Sequence, residues 1–287
     1  MKKHLLITCL LLAATFVSNA KEQVLSLWKL QKEGSTESID VKVPATVAGA
    51  LAENGKLPAN LYFADNYSKI DNSIFDGGWT FTTNFKADMG CGIHNTLVFK
   101  SLDFYADIVL NGRKIASADT TAGVFVVREY DVTKLLNKKG DNTLSVTVYK
   151  AKSGDLNIGF VDWNPRALGE SMGITGDVVL KTTGSVSVKD AYVKPSLDIK
   201  DFSEADLKVK VTLGNNSGKA VKGTLTVSYE NGKASIPVTV PAGGTEIDLT
   251  PKQLGILHID NPRVWWTWDL GTPELYHMSV SFNEGKK

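Results

Sequence analysis

The chain has 287 residues, 43% of them apolar and 22% charged, and its 32 Lys and Arg nearly balance 31 Asp and Glu to give a formal charge of +1. That length suits about two ordinary domains, and the balanced charge offers no basic footprint for nucleic acid or an anionic membrane. With only two cysteines, one inside the first twenty residues, no disulfide framework is available and stability must come from core burial.

Residues 1–20 read as a secretory signal peptide. Lys2, Lys3 and His4 form a basic start, Leu5 to Val17 is apolar, and Ser18-Asn19-Ala20 supplies the small residues of a cleavage site. The apolar stretch is too short for a membrane span, so the expectation is an exported protein, periplasmic or extracellular, with no membrane attachment after cleavage.

Short alternating segments broken by Gly, Asn, Asp and Pro follow. Thr80–Phe85, Thr96–Lys100 and Asp107–Leu110 read as strands, and Asn111-Gly112 joins the third to Arg113–Ala116. Asn-Gly between strands is a strong hairpin signal, because both turn positions take positive φ. Leu144–Tyr149 alternates cleanly. Short helical turns are expected near Val47–Glu53 and Thr133–Leu136. Residues 21–184 thus predict an all-β domain whose size and strand count suit a jelly-roll sandwich.

A boundary is expected near Thr183-Gly184-Ser185. Beyond it, residues 185–287 show six strand-like segments: Asp190–Ile199, Asp206–Leu213, Gly223–Tyr229, Ala234–Val240, Thr245–Leu249 and Tyr276–Phe282. An immunoglobulin-like sandwich needs about seven. The expectation is therefore an incomplete, C-terminally truncated immunoglobulin-like β-sandwich.

Two stretches carry the functional signal. Asp162-Trp163-Asn164-Pro165 places a carboxylate beside an indole, which suits a sugar: the ring stacks on a pyranose C–H face while the carboxylate accepts from hydroxyls. Residue types alone favour instead a Trp163 that plugs the sandwich edge and an Asp162 that caps a turn. Trp265, Trp266 and Trp268, flanked by proline and glycine, form an aromatic loop that is either a second sugar platform or an interdomain plug, the plug being the favoured reading.

These motifs, taken with others in order along the chain, resemble the N-terminal part of glycoside hydrolase family 2. The resemblance is carried by Val43-Pro44-Ala45-Thr46-Val47 with Ala50-Leu51, by Gly78-Trp79 through Phe85, and by Leu102 to Asn111-Gly112. Phe125 to Thr133, Asn142-Thr143-Leu144, the Asp162-Trp163-Asn164-Pro165 loop and the Trp265-Trp266 stretch extend it. The Asp-Trp-Asn-Pro and Trp-Trp forms lean toward the β-mannosidase and exo-β-glucosaminidase branch. The resemblance implies a galactose-binding-like jelly roll, an immunoglobulin-like domain and then a catalytic (β/α)₈ barrel that carries both catalytic glutamates. Because this sequence stops short of such a barrel, no catalytic residue is assigned and no hydrolysis by this chain alone is expected. Asp162 and Trp163 are the substrate-binding residues that the resemblance implies, contacting a β-linked terminal sugar weakly unless a barrel, in the same chain or supplied in trans, forms the opposite wall. The alternative is a stand-alone carbohydrate-binding protein.

Other candidates are weak. His94, His258 and His277 lack Cys or carboxylate partners at ligand spacing in the sequence, so no metal is expected. Cys91 reads as a free structural thiol. No Gly-rich phosphate loop is present, and no cofactor is expected. Asn66-Tyr67-Ser68 and Asn215-Asn216-Ser217 fit the glycosylation sequon.

Overall fold

The computed structural model describes residues 20–90, 92–157, 163 and 165–284. The signal-peptide and Cys91 readings lie outside those residues. The first half contains β1 (Lys21–Val24), β2 (Leu27–Lys32), β3 (Ser38–Lys42), β4 (Ala45–Thr46), α1 (Val47–Glu53), β5 (Trp79–Phe85), β6 (His94–Phe99) and β7 (Tyr105–Leu110). It continues with β8 (Arg113–Ala116), β9 (Arg128–Asp131), β10 (Asn142–Tyr149), β11 (Gly173–Ile174) and β12 (Val178–Thr183). The second half holds β13 (Val186–Leu197), β14 (Glu204–Asn215), β15 (Val221–Tyr229), β16 (Gly232–Val240), β17 (Thr245–Leu249), β18 (His258–Asp260) and β19 (Ser279–Asn283).

Two sheets face each other in the first half, ordered β3-β2-β5-β10-β7-β8 and β1-β12-β6-β9, with β4 and β11 pairing separately. Alternation explains the layering. Trp79, Phe81 and Phe85 of β5, Leu144, Val146 and Val148 of β10, and Ala106, Ile108 and Leu110 of β7 all turn inward. They meet Leu97 and Phe99 of β6 and Val178 and Leu180 of β12 in one core. Asn111 and Gly112 take φ of 50° and 76°, as the hairpin between β7 and β8 demands. α1 starts at Thr46, whose Oγ1 accepts from Gly49 N at 3.0 Å, and it buries Val47, Ala50 and Leu51 along one face.

A separate core lies in the second half, where Leu207, Val209, Val211 and Leu213 of β14 face Leu225, Val227 and Tyr229 of β15. Its sheets run β13-β14-β17, with β18 also on β14, and β16-β15-β19. The all-β jelly-roll and immunoglobulin-like architecture is as the sequence led us to expect, with three corrections. Thr133–Leu136 is a turn, because its residues cap β9 through Asp131 rather than starting a helix. The last strand begins at Ser279, not Tyr276, since Tyr276 is spent on the preceding loop: its hydroxyl accepts from Arg263 N at 2.7 Å. A seventh strand, β18, is too short to show a period and pairs with Glu204–Asp206. β19 pairs with β15 alone among the described residues.

Candidate functional site

The chain leaves the larger sheet at Tyr149 and rejoins the sandwich at β11, where Gly173 pairs with Thr46. The connection between them carries the Asp-Trp segment. Asp162 lies outside the described residues. Trp163 is 82% exposed, so its indole does not plug the sandwich edge.

The flanks of the segment are tightly organised. On the entering side, Tyr105 donates its hydroxyl hydrogen bond to Asp155, with both carboxylate oxygens within 3.0 Å, and Asp155 also accepts from Lys152 N at 2.6 Å. That bond, first, and burial hold the Tyr105 phenol above its ordinary pKa. Lys152 Nζ sits 5.2 Å from the centre of the same ring. On the leaving side, Tyr67 donates to Arg166 O at 2.6 Å and accepts from Leu168 N at 2.8 Å, while Asn72 Oδ1 accepts from Gly169 N at 3.0 Å.

Arg166 and Glu170 form a bidentate pair, Nε–Oε1 at 2.9 Å and Nη2–Oε2 at 2.7 Å. The guanidinium bonds hold Glu170 below the usual glutamate range against the opposing effect of burial. A concavity of about 460 Å³ opens here, its lining including Tyr149, Lys150, Lys152, Arg166 and Glu170.

Beneath this surface lies Asp103. It is 1% exposed, exchanges two backbone hydrogen bonds with Gly173, and its Oδ1 has no hydrogen-bond partner. Burial, and then the neighbouring charge of Glu170, push its pKa up to about 7. One carboxyl with a raised pKa near one with a lowered pKa resembles the acid–base pair of glycosidases. Here it serves no such role, because no glycosidic bond can reach an acid this deeply buried.

Neither Tyr67, Asp103, Arg166 nor Glu170 emerges from sequence reasoning. Tyr67 sits in a sequon, and Asp103 in a hairpin motif, so the contacts that matter span 99 and 67 positions, from Tyr67 to Arg166 and from Asp103 to Glu170.

The tryptophan loop is open. Trp265, Trp266 and Trp268 are 54%, 39% and 89% exposed. Trp266 packs edge-on against Phe202 at 5.8 Å, and the other two make no ring contact among the described residues. His258 does have carboxylate partners, contrary to the sequence reading: β-pairing brings its Nδ1 to 2.7 Å from Asp206 and its Nε2 to 3.4 Å from Asp260. Among the described residues, no group of three or more His, Cys, Asp or Glu is placed to hold a metal ion. No helix among them is long and apolar enough to cross a membrane.

The profile described as "Glycosyl hydrolase 2 galactose-binding domain-like" matches residues 28–158, and that described as "Glycosyl hydrolases family 2" matches residues 186–287. An exo-β-D-glucosaminidase of Streptomyces avermitilis is 33% identical over 242 residues, which cover 83% of this chain and 26% of that protein. A mannosylglycoprotein endo-β-mannosidase of Lilium longiflorum is 26% identical over 282 residues, covering 85% and 28%. The crystal structure of an exo-chitosanase of Amycolatopsis orientalis superposes with a TM-score of 0.77 at 23% identity, over 91% of this chain and 33% of that one. The chain thus spans about a quarter of the curated relatives' length, at their N-terminal end.

Proposed function

Because this chain belongs to glycoside hydrolase family 2 and carries that family's two N-terminal modules in order, we propose that it is the non-catalytic N-terminal portion of an exported exo-β-glycosidase. The complete enzyme would cleave terminal β-linked glucosamine or mannose from glycans. The observation that carries this reading is the match of both modules to relatives named as exo-β-glucosaminidases and mannosidases, each several times longer than the matched region. Export rests on residues 1–20, with a basic start, an apolar stretch and small residues before the cut.

In this reading Asp162 and Trp163 form one wall of a sugar pocket. The indole would stack on the pyranose and the carboxylate would accept from hydroxyls. A productive site buries most of its ligand, and one open wall does not, so the opposite wall would come from a barrel. The exposed Trp265, Trp266 and Trp268 supply an apolar surface for such a barrel to dock against, whether in the same chain or in trans. The reading as a stand-alone carbohydrate-binding protein is not favoured, since the relatives with both modules are enzymes.

Purified chain should release no nitrophenol from a panel of nitrophenyl β-glycosides. Titration calorimetry with mannose or glucosamine should give no saturable heat. Turnover above a boiled control, or a micromolar dissociation constant, would overturn the assignment.

A further inference from the structure

The loop that follows α1 turns two neighbouring rings outward. Tyr62 is 85% exposed and Phe63 71% exposed, and both line an open concavity of about 390 Å³ together with Ala52, Pro58, Asn60 and Leu61. The loop is closely tied. Phe63 N donates to Asn60 O at 2.9 Å, Asn66 N to Phe63 O at 3.2 Å, and Asn66 Nδ2 to Asn60 O at 3.0 Å. Ser68 Oγ donates to Asp65 O at 2.8 Å, and Lys69 pairs with the Asp65 carboxylate at 2.8 Å. Ala64, directly after the two rings, takes φ of 51°, a left-handed conformation that a residue with a side chain keeps only where its surroundings fix it.

Tyr62 is also backed. Its ring stacks on that of Tyr67, with centroids 5.8 Å apart and planes at 26°. Tyr67 is held in turn by its hydroxyl, which donates to Arg166 O at 2.6 Å and accepts from Leu168 N at 2.8 Å. One face of Tyr62 thus rests on a fixed partner while the other is open to solvent.

A flat ring supported on one side suits the C–H face of a pyranose, whose equatorial hydroxyls stay at the edge, in water or on the Asn60 amide. The concavity falls within the size of small-ligand sites, about 300–1,000 Å³. A protein partner would need about 20–30 residues a side, far more than line this concavity. The loop's Asp65 and Lys69 neutralise each other, so charge does not select an ionic ligand.

We propose that Tyr62, backed by Tyr67 and flanked by Phe63, is a carbohydrate subsite for the body of a β-linked glycan rather than for its terminal residue. This rests on the reading of the chain as part of an enzyme that acts on such glycans. The residue to be cleaved needs an enclosed pocket, and the rest of the polymer lies outside it, where an open platform can meet one ring after another. β-Linked glucosamine and β-linked mannose share the required face, made of axial C–H bonds. An α-linked sugar interrupts it with the axial glycosidic oxygen. Because Tyr67 fixes the platform in advance, little ordering is spent on binding. Because the platform is open, affinity is low, on the order of 1 mM.

The test is an amide-resolved NMR titration of the full chain with a β-1,4-linked glucosamine hexamer, a β-1,4-linked mannose hexamer and an α-1,4-linked glucose hexamer. At least one β-linked hexamer should shift the amides of residues 59–67 saturably, and the α-linked one should bind at least about threefold more weakly. Tyr62→Ala should weaken binding about tenfold at an unchanged thermal midpoint, since the side chain is exposed, whereas Tyr62→Phe keeps the ring and should stay within about twofold of the parent. The proposal is overturned by no shift at residues 59–67 with either β-linked hexamer, by shifts that survive Tyr62→Ala, or by equal binding of the α-linked hexamer. Concentration-dependent broadening of the same amides without sugar would also overturn it, by making the platform a contact between copies of this chain. None of these outcomes touches the assignment as a non-catalytic portion, which falls on nitrophenol release measured with no hexamer present.

Discussion

Asp103 is a buried carboxyl whose Oδ1 lacks a partner, next to the ionised Glu170. Its raised pKa makes the native state bind a proton that the unfolded chain has released between about pH 4 and about pH 7. Stability contributed by the neutral form is therefore complete below the unfolded value and is lost as pH rises toward 7. Asp103→Asn removes the ionisation and should flatten this part of the profile. Urea denaturation near pH 8 should show the variant more stable by up to about 4 kcal/mol, with the two proteins converging near pH 4. A parallel shift at all pH values would mean that Asp103 does not titrate on folding. No spacing rule marks Asp103, because its burial depends on β11 passing directly over it.

At the level of elements, local rules worked where a segment's partner is close in sequence. α1 begins at its Thr46 cap, and the β7–β8 hairpin turns at Asn111-Gly112, because both are decided by backbone dihedral preference and a bond to a neighbour. Thr46→Ala should cost about 1 kcal/mol, read as a lower urea midpoint at unchanged slope. A loss below experimental error would mean that packing of Val47, Ala50 and Leu51 alone holds the helix. Elements decided by distant partners were not legible. β18 is three residues long and exists because Glu204–Asp206 offers it an edge, with the Asp206–His258 bond across the pair. Protonation favours that bond, as the raised His258 pKa indicates. The strand at the chain's end starts late because Arg263 captures Tyr276, with the guanidinium carbon 4.5 Å from the ring centre.

Across the whole molecule, buried side chains divide between a larger core spanning Leu25 to Leu180 and a smaller one spanning Val186 to Ile259. Contact between the halves includes the exposed Lys189–Glu129 pair, a kind of bridge that adds little. We therefore expect calorimetry to resolve two unfolding transitions, the Leu225→Ala change lowering only one of them by roughly 3 kcal/mol. A single transition that moves as a unit would show that the halves unfold together. The same separation bears on function. Trp163 belongs to the first half and the tryptophan loop to the second, and Trp163 and Trp268 are both largely exposed.

From the sequence alone came what repeats locally or follows a known motif order: the all-β class, most strands of both sandwiches, the family, and the Asp162–Trp163 segment as the place to look. Alternation with a period of two and Asn-Gly turns are properties of neighbouring residues, so they survive being read in one dimension. The contacts at its flanks had to come from the folded chain. Glu170, Arg166, Tyr67 and Asp103 acquire their surroundings only when loops distant in sequence meet, and burial, which raises the pKa of Asp103 and shields the Arg166–Glu170 ion pair, belongs to the packed molecule rather than to any residue.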